Sequence, residues 1–131
     1  MVQNIEEKRR CGYNRLKVVQ STIPQTGYGL FLYQPVMKAG GLITTYEGKS
    51  LTKSQVKKSK SDYIFEIVNK GGQTIYVDAE DETSCYGRFM NDPRDDTLVN
   101  AKVILKGGRM VVIATADIHE GDEIFIDYGV D

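Results

Sequence analysis

The chain has 131 residues, 40% of them hydrophobic, and its 17 basic and 18 acidic side chains nearly cancel. That length suits one domain with a real core and is too short for two. The balanced charge announces no nucleic-acid or membrane partner. No apolar run is long enough to span a bilayer, and Met1–Arg10 lacks the apolar centre of a signal peptide.

Two cysteines, Cys11 and Cys85, have no CxxC neighbour and only His119 to join them. They read as thiols in a reducing compartment, with one disulfide as the alternative. A tetrahedral zinc site would need carboxylates as well, so no metal is expected. The reducing reading of the cysteines makes nucleus or cytoplasm the expected compartment.

In chain order, residues 1–15 read as a flexible, basic N-terminal arm carrying Arg9 and Arg10, and residues 16–131 as the domain. Leu16–Gln20 is the first strand candidate. After Pro24 and Gln25, Thr26-Gly27-Tyr28-Gly29-Leu30-Phe31-Leu32 places a glycine-bracketed tyrosine at the entry to a second strand. Lys38-Ala39-Gly40-Gly41 turns the chain into a strand over Leu42–Glu47. Leu51–Lys60 holds Lys53, Lys57, Lys58 and Lys60 without an acid and predicts a short exposed helix.

Tyr63–Val68 and Thr74–Ala79 flank Asn69-Lys70-Gly71-Gly72 as a hairpin. Asn100–Leu105 and Met110–Ala116 flank Lys106-Gly107-Gly108-Arg109 as another. Met110–Ala116 is uninterrupted by charge, which predicts a buried central strand. Between the hairpins, Glu80–Val99 is too polar and turn-rich for regular structure, although Tyr86–Asn91 has enough apolar content to be ordered. The class is mostly β, with one or two short helices.

The last stretch, Gly121-Asp122-Glu123-Ile124-Phe125-Ile126-Asp127-Tyr128-Gly129, reads as a short strand. Alternation puts Ile124, Ile126 and Tyr128 on one face and Phe125 and Asp127 on the other. A tail this apolar must be buried by earlier segments.

Four pieces, in order, resemble a SET domain, the fold of most protein-lysine methyltransferases. They are Thr26–Phe31; Tyr63-Ile64-Phe65-Glu66 with Val77-Asp78-Ala79; Arg88-Phe89-Met90-Asn91; and Gly121–Gly129. Tyr46-Glu47-Gly48 is a weaker fifth. The resemblance implies a β-clip-like fold of several small twisted sheets, with a variable insert at about 49–62. Its C-terminal segment would pass under the Arg88–Asn91 loop as a pseudoknot. S-adenosylmethionine would sit in one cleft, and a lysine would enter from the opposite face through an aromatic channel.

Carried residue by residue, the resemblance gives Tyr128 and Tyr46 as catalytic, with Tyr46 also a channel wall. Thr26, Gly27 and Tyr28 contact the cofactor's amino-acid end, Gly29 allows close approach, and Tyr63 packs beside it. Asn91 offers its amide, Asp92 its backbone to the adenine, and Arg88 braces the loop or holds the carboxylate. Methyl transfer from a sulfonium to an amine needs alignment and a neutral nucleophile, not a metal. Burial and the adjacent cation lower the lysine pKa from its reference of about 10.4.

Blander readings stand beside these. Tyr128 without its motif is an ordinary core tyrosine, Gly27 and Gly29 are turn glycines, Asn91 is a turn former and Arg88 a surface charge. His119 faces solvent in a turn, and Cys85 is a packed thiol. The lysine run is a solvated face more readily than a DNA-phosphate contact through Lys53–Lys60. The acids over Asp78–Glu82 and Asp92–Asp96 attract a basic peptide or simply solubilise a loop.

Three departures from the family pattern matter. The common Asn-His-Ser-Cys run is here Asn91-Asp92-Pro93-Arg94, with Asn100 restoring a later asparagine. The position two before Tyr128, commonly Phe or Tyr, is Ile126, which assigns it to the substrate channel with room for more than one methyl. The sequence stops two residues after Gly129, which leaves three expectations open: the chain is a trimmed fragment, a partner protein or second copy closes the channel, or activity is weak. The leading expectation is an S-adenosylmethionine-dependent protein-lysine N-methyltransferase acting on histone tails. The alternative is a catalytically weak or inactive binding or scaffold module.

Overall fold

The computed structural model describes residues 15–128. The expectations for the N-terminal arm, Cys11 and Gly129 lie outside the described residues. Ten strands form four small antiparallel sheets, with one α-helix and one 3₁₀ turn among the described residues. The mostly β class and the multiple small sheets are as expected.

Strand β1 (Leu16–Gln20) pairs in register with β2 (Tyr28–Leu32), Leu16 opposite Leu32 and Gln20 opposite Tyr28. Alternation works in β1, which buries Leu16 and Val18 and exposes Lys17. Strand β2 is buried from Gly29 onward, because the C-terminal segment covers it from the other side.

Strand β4 (Leu42–Thr45), β9 (Arg109–Ala114) and β8 (Ala101–Lys106) form a three-stranded sheet with β9 in the middle, as its charge-free run predicts. Strands β5 (Lys49–Leu51), β7 (Thr74–Asp78) and β6 (Ile64–Val68) form another, with β7 central. Both predicted hairpins are present. Three strands were not expected: β3 (Val36–Met37) and β10 (Ile118–His119), which pair with each other, and β5.

The predicted helix over Leu51–Lys60 shortens to α1 (Lys53–Lys58), because Leu51 belongs to β5. Thr52 and Gln55 close a reciprocal capping box at its start, and no residue of the helix is buried.

The terminal segment corrects the strand expectation. It makes only isolated bridges, Phe31 with Glu123 and Asn91 with Phe125. Its backbone is shared among three partners. Ile124 N donates to Leu30 O at 2.7 Å, Ile126 N to Asn91 O at 3.0 Å, and the Phe125 carbonyl accepts from Asn100 N and Ala101 N, each at 3.1 Å. Glu123, Ile124, Phe125 and Ile126 are consequently all buried, and alternation of faces is lost. Ile124 and Ile126 join Leu30, Leu32, Ile43, Val112 and Ile118 in one continuous core.

Candidate active site

The site begins with how the terminal segment and the loop before β2 are locked together. Buried Glu123 accepts from Ser21 Oγ at 2.7 Å, Thr22 N at 2.8 Å, Thr22 Oγ1 at 2.7 Å and Asn91 Nδ2 at 3.1 Å. A carboxylate so enclosed is tolerable only because donors surround it. Gly29 lies directly beneath: a Cβ there would stand 2.3 Å from Glu123 Oε2. Gly29 is therefore glycine because Glu123 needs the space. Gly27 differs, since its φ of +92° is the left-handed region and nothing lies within 4 Å of where a Cβ would be.

Asn91 completes the lock, donating from Nδ2 to Tyr28 O at 3.0 Å as well as to Glu123. Its amide group is thus committed to protein partners. Asp92, half-buried, accepts from Arg94 N at 2.8 Å through one oxygen and from Tyr128 N at 3.2 Å through the other. Asn100 Nδ2 donates to Glu123 O at 3.0 Å and its Oδ1 accepts from Phe125 N at 2.8 Å, so this asparagine fixes the terminal backbone.

Arg88 sits in the 3₁₀ turn Tyr86–Phe89, where it is buried. Its Nε donates to Ala79 O at 2.7 Å and Nη2 to Glu80 O at 2.9 Å, bracing the end of β7. Its guanidinium lies 4.1 Å from the Tyr63 ring centre and 4.9 Å from that of Phe89.

Two clefts meet at Tyr128. The first, about 390 Å³, is lined by Thr26, Tyr28, Arg88, Phe89 and Asn91, with the carboxylates of Asp62 and Glu82. The second, about 570 Å³, is lined by Tyr46, Ile64, Phe65 and Val103, with the carboxylates of Asp62, Glu66 and Asp127. Tyr128, Tyr63 and Asp62 line both.

The Tyr128 hydroxyl donates to the Met90 carbonyl. Burial of that hydroxyl, with Tyr63 and Asp92 nearby, pushes its pKa up to about 12. Tyr46 is more enclosed: its hydroxyl donates to Tyr63 O at 2.6 Å, its ring packs 5.4 Å from that of Phe65, and burial raises its pKa strongly.

The structure thus brings Thr26, Tyr28, Tyr63, Arg88, Asn91 and Tyr128 to one cleft and places Tyr46 on the other. Gly27, Gly29 and Asp92 are not among the residues lining the first cleft. Ile126 is only 1% exposed, packs in the core and lines neither cleft. Tyr128 is 43% exposed, so its ring is not enclosed as a buried tunnel requires.

Sequence reasoning missed Glu123, whose signal was an acid directly abutting the apolar run Ile124-Phe125-Ile126. It also missed Asp62, which stands beside Tyr63. His119 is exposed and Cys85 is a buried thiol, both as expected.

Small sheets closed by a threaded terminal segment, with two clefts meeting at a phenol, define a fold that known proteins share. The chain belongs to the SET domain family, whose model matches residues 27–129. The N-lysine methyltransferase KMT5A-A of Danio rerio is 28% identical over 115 residues, covering 79% of this chain and 32% of that protein, so the chain spans about a third of its relative. Two solved structures share the fold. The methyltransferase domain of human PR domain-containing protein 2 matches with a TM-score of 0.71 and 18% identity, over 90% of this chain and 79% of that one. CpSET8 from Cryptosporidium matches with a TM-score of 0.66 and 18% identity, over 88% and 58%.

Proposed function

We propose that the chain is an S-adenosylmethionine-dependent protein-lysine N-methyltransferase, with a basic segment such as a histone tail as its substrate. One observation carries this reading: Tyr128 lines a wall common to both clefts, where a methyl donor on one side and an amine on the other would meet.

The first cleft fits the cofactor. It offers Tyr28 and Phe89 rings set edge-to-face at 6.4 Å as an aromatic wall, Arg88 as a cation, and Asp62 and Glu82 to balance an ammonium and a sulfonium. When bound, S-adenosylmethionine supplies a methyl group activated by that sulfonium. Thr26 and Tyr28 would hold its amino-acid end, with Tyr63 packed beside it. Asn91, Asp92 and Gly29 act as positioning residues, through Glu123, Tyr28 and Tyr128.

On the other side, Tyr46 and Phe65 form the apolar wall for the lysine stem. The Tyr128 proton is committed to Met90, which leaves the phenol oxygen to accept an amine N–H and orient its lone pair. Holding the reactants in attack geometry supplies up to roughly 7–11 kcal/mol.

The exposure of Tyr128 favours a second reading, a SET-like scaffold with weak or no catalysis. Calorimetric titration of S-adenosylmethionine separates the two, since a pure scaffold gives no binding heat. Radiolabelled methyl transfer to core histones then tests the chemistry. Tyr128→Phe should lower the rate by about a hundredfold with cofactor binding retained. A mutant at full rate overturns the role of Tyr128.

A further inference from the structure

Beyond the two clefts lies a larger apolar groove of about 720 Å³ between the tips of the β6–β7 and β8–β9 hairpins. Its walls include Ile67, Val68, Ile75, Ile104 and Leu105, and Val68 is 61% exposed. Nothing in the proposed transfer chemistry uses it.

The groove adjoins the lysine-side cleft, and Ile67 lines both. Strand β6 lines that cleft from Ile64 to Ile67 and the groove from Ile67 to Val68. Strand β8, from a different sheet, lines the cleft with Val103 and the groove with Ile104, Leu105 and Lys106. Both strands contribute residues to cleft and groove alike, so the two are read as one trough leading away from Tyr46 and Tyr128.

Charge changes sign along it. The cleft end carries Asp62, Glu66 and Asp127, with no basic residue among those lining it. The groove end carries Lys70 and Lys106, with no acid among those lining it. An occupant spanning the trough would need opposite charges at its two ends and an apolar side chain between them and the groove floor.

We infer that this groove is an anchor site for the substrate's own flanking segment, which presents a bulky apolar residue next to an acid, several residues from the target lysine. The inference rests on the methyltransferase reading above. From Ile64 to Val68 the wall runs about 13 Å at ~3.3 Å per strand residue, so an extended substrate reaches the groove about four to six residues from its lysine.

The test uses the described protein with S-adenosylmethionine and lysine-centred degenerate peptides long enough to reach the far end of the trough, the methylated products being sequenced by mass spectrometry. The expected result is enrichment of Ile, Leu, Val or Phe at four to six residues on one side of the lysine, with Asp or Glu adjacent. Val68→Asp, at an exposed position, should abolish the apolar preference and cost about tenfold in kcat/KM on an anchored peptide. It should leave transfer to a peptide truncated before the groove unchanged. Lys70→Glu with Lys106→Glu should convert the preference for an acid into one for a base.

Methylated products with no preference at those positions overturn the inference and leave the activity standing. A chain that elutes as a dimer and becomes monomeric on Val68→Asp also overturns it, because a second copy then covers the groove. Absence of both cofactor heat and methyl transfer removes the activity and the inference together.

Discussion

Asp92 Oδ2 accepts a hydrogen bond from the backbone N–H of Tyr128 at 3.2 Å, across 36 residues of chain. The residue that departs from the family's usual histidine therefore fastens the phenol to the loop whose Met90 carbonyl takes its hydroxyl proton. Asp92→Ala should lower methyl transfer by about fivefold, the loss of roughly 1 kcal/mol of positioning. The dissociation constant of S-adenosylmethionine should stay within twofold, since Asp92 does not line the first cleft, where the proposal puts the cofactor. Asp92→Asn keeps an acceptor and should recover most of the rate. Parallel calorimetry and steady-state kinetics check both.

The two glycines before Leu30 should fail for different reasons. Gly29→Ala drives a methyl group into Glu123 Oε2 and against Ser21 Cα, 3.2 Å away, and should cost about 1–3 kcal/mol in denaturant unfolding. In a Glu123→Ala background the same change should cost much less, a clear non-additivity. Gly27→Ala meets no neighbour but forces a side chain into the left-handed region, for about 1–2 kcal/mol that Glu123→Ala does not relieve.

Glu123→Gln leaves one acceptor where two oxygens received hydrogen bonds from Ser21, Thr22 and Asn91. It should cost about 1–3 kcal/mol of stability. The cofactor affinity should fall with it, because the loop that carries Thr26 and leads into β2 at Tyr28 loses its tether. Melting curves and cofactor titration would show the two effects together.

Much of this was readable in advance, and the failures share a cause. Strand β1, both glycine-tipped hairpins and central β9 are local patterns bounded by turn residues. The terminal segment misled because alternation tells faces apart only where one face is wet, and residues Glu123 to Ile126 are covered on every side. Glu123 drew no attention in the sequence since its hydroxyl partners lie 101 and 102 residues away. The two-residue strands β3 and β10 carry too short a pattern to register at all. For the site, the motifs mark Thr26, Tyr28, Tyr63, Arg88, Asn91 and Tyr128, which line one cleft, while Ile126 lies in the core because its neighbours in space, not its position in the motif, decide where it points.

The phenols set the alkaline limit. With the Tyr128 pKa raised to about 12 from an ordinary 10.0, the folded state holds its proton more tightly than the unfolded chain. That stability is fully present below pH 10 and is lost as pH rises toward 12, and buried Tyr46 acts in the same direction. The rate should therefore show no falling limb from Tyr128 between neutrality and pH 10. Phenolate absorbance of the native protein minus that of Tyr128→Phe should place this titration above pH 10.

Arg88→Lys should destabilise the domain by about 1–3 kcal/mol despite keeping the charge. An ammonium cannot bond Ala79 O and Glu80 O in the same fork while lying flat at 4.1 Å from the Tyr63 ring. Thermal unfolding measures the loss.

Because Ile124 and Ile126 fill a core to which nine of the ten strands contribute, synthesis delivers the closing piece after all ten strands have been made. Until it arrives, Leu30 and Leu32 have no lid, and the nascent polypeptide must be shielded from aggregation. Maturation should then be a single late event whose pace is governed by long-range closure rather than by helix or hairpin formation. A polypeptide cut before Glu123 should never reach it.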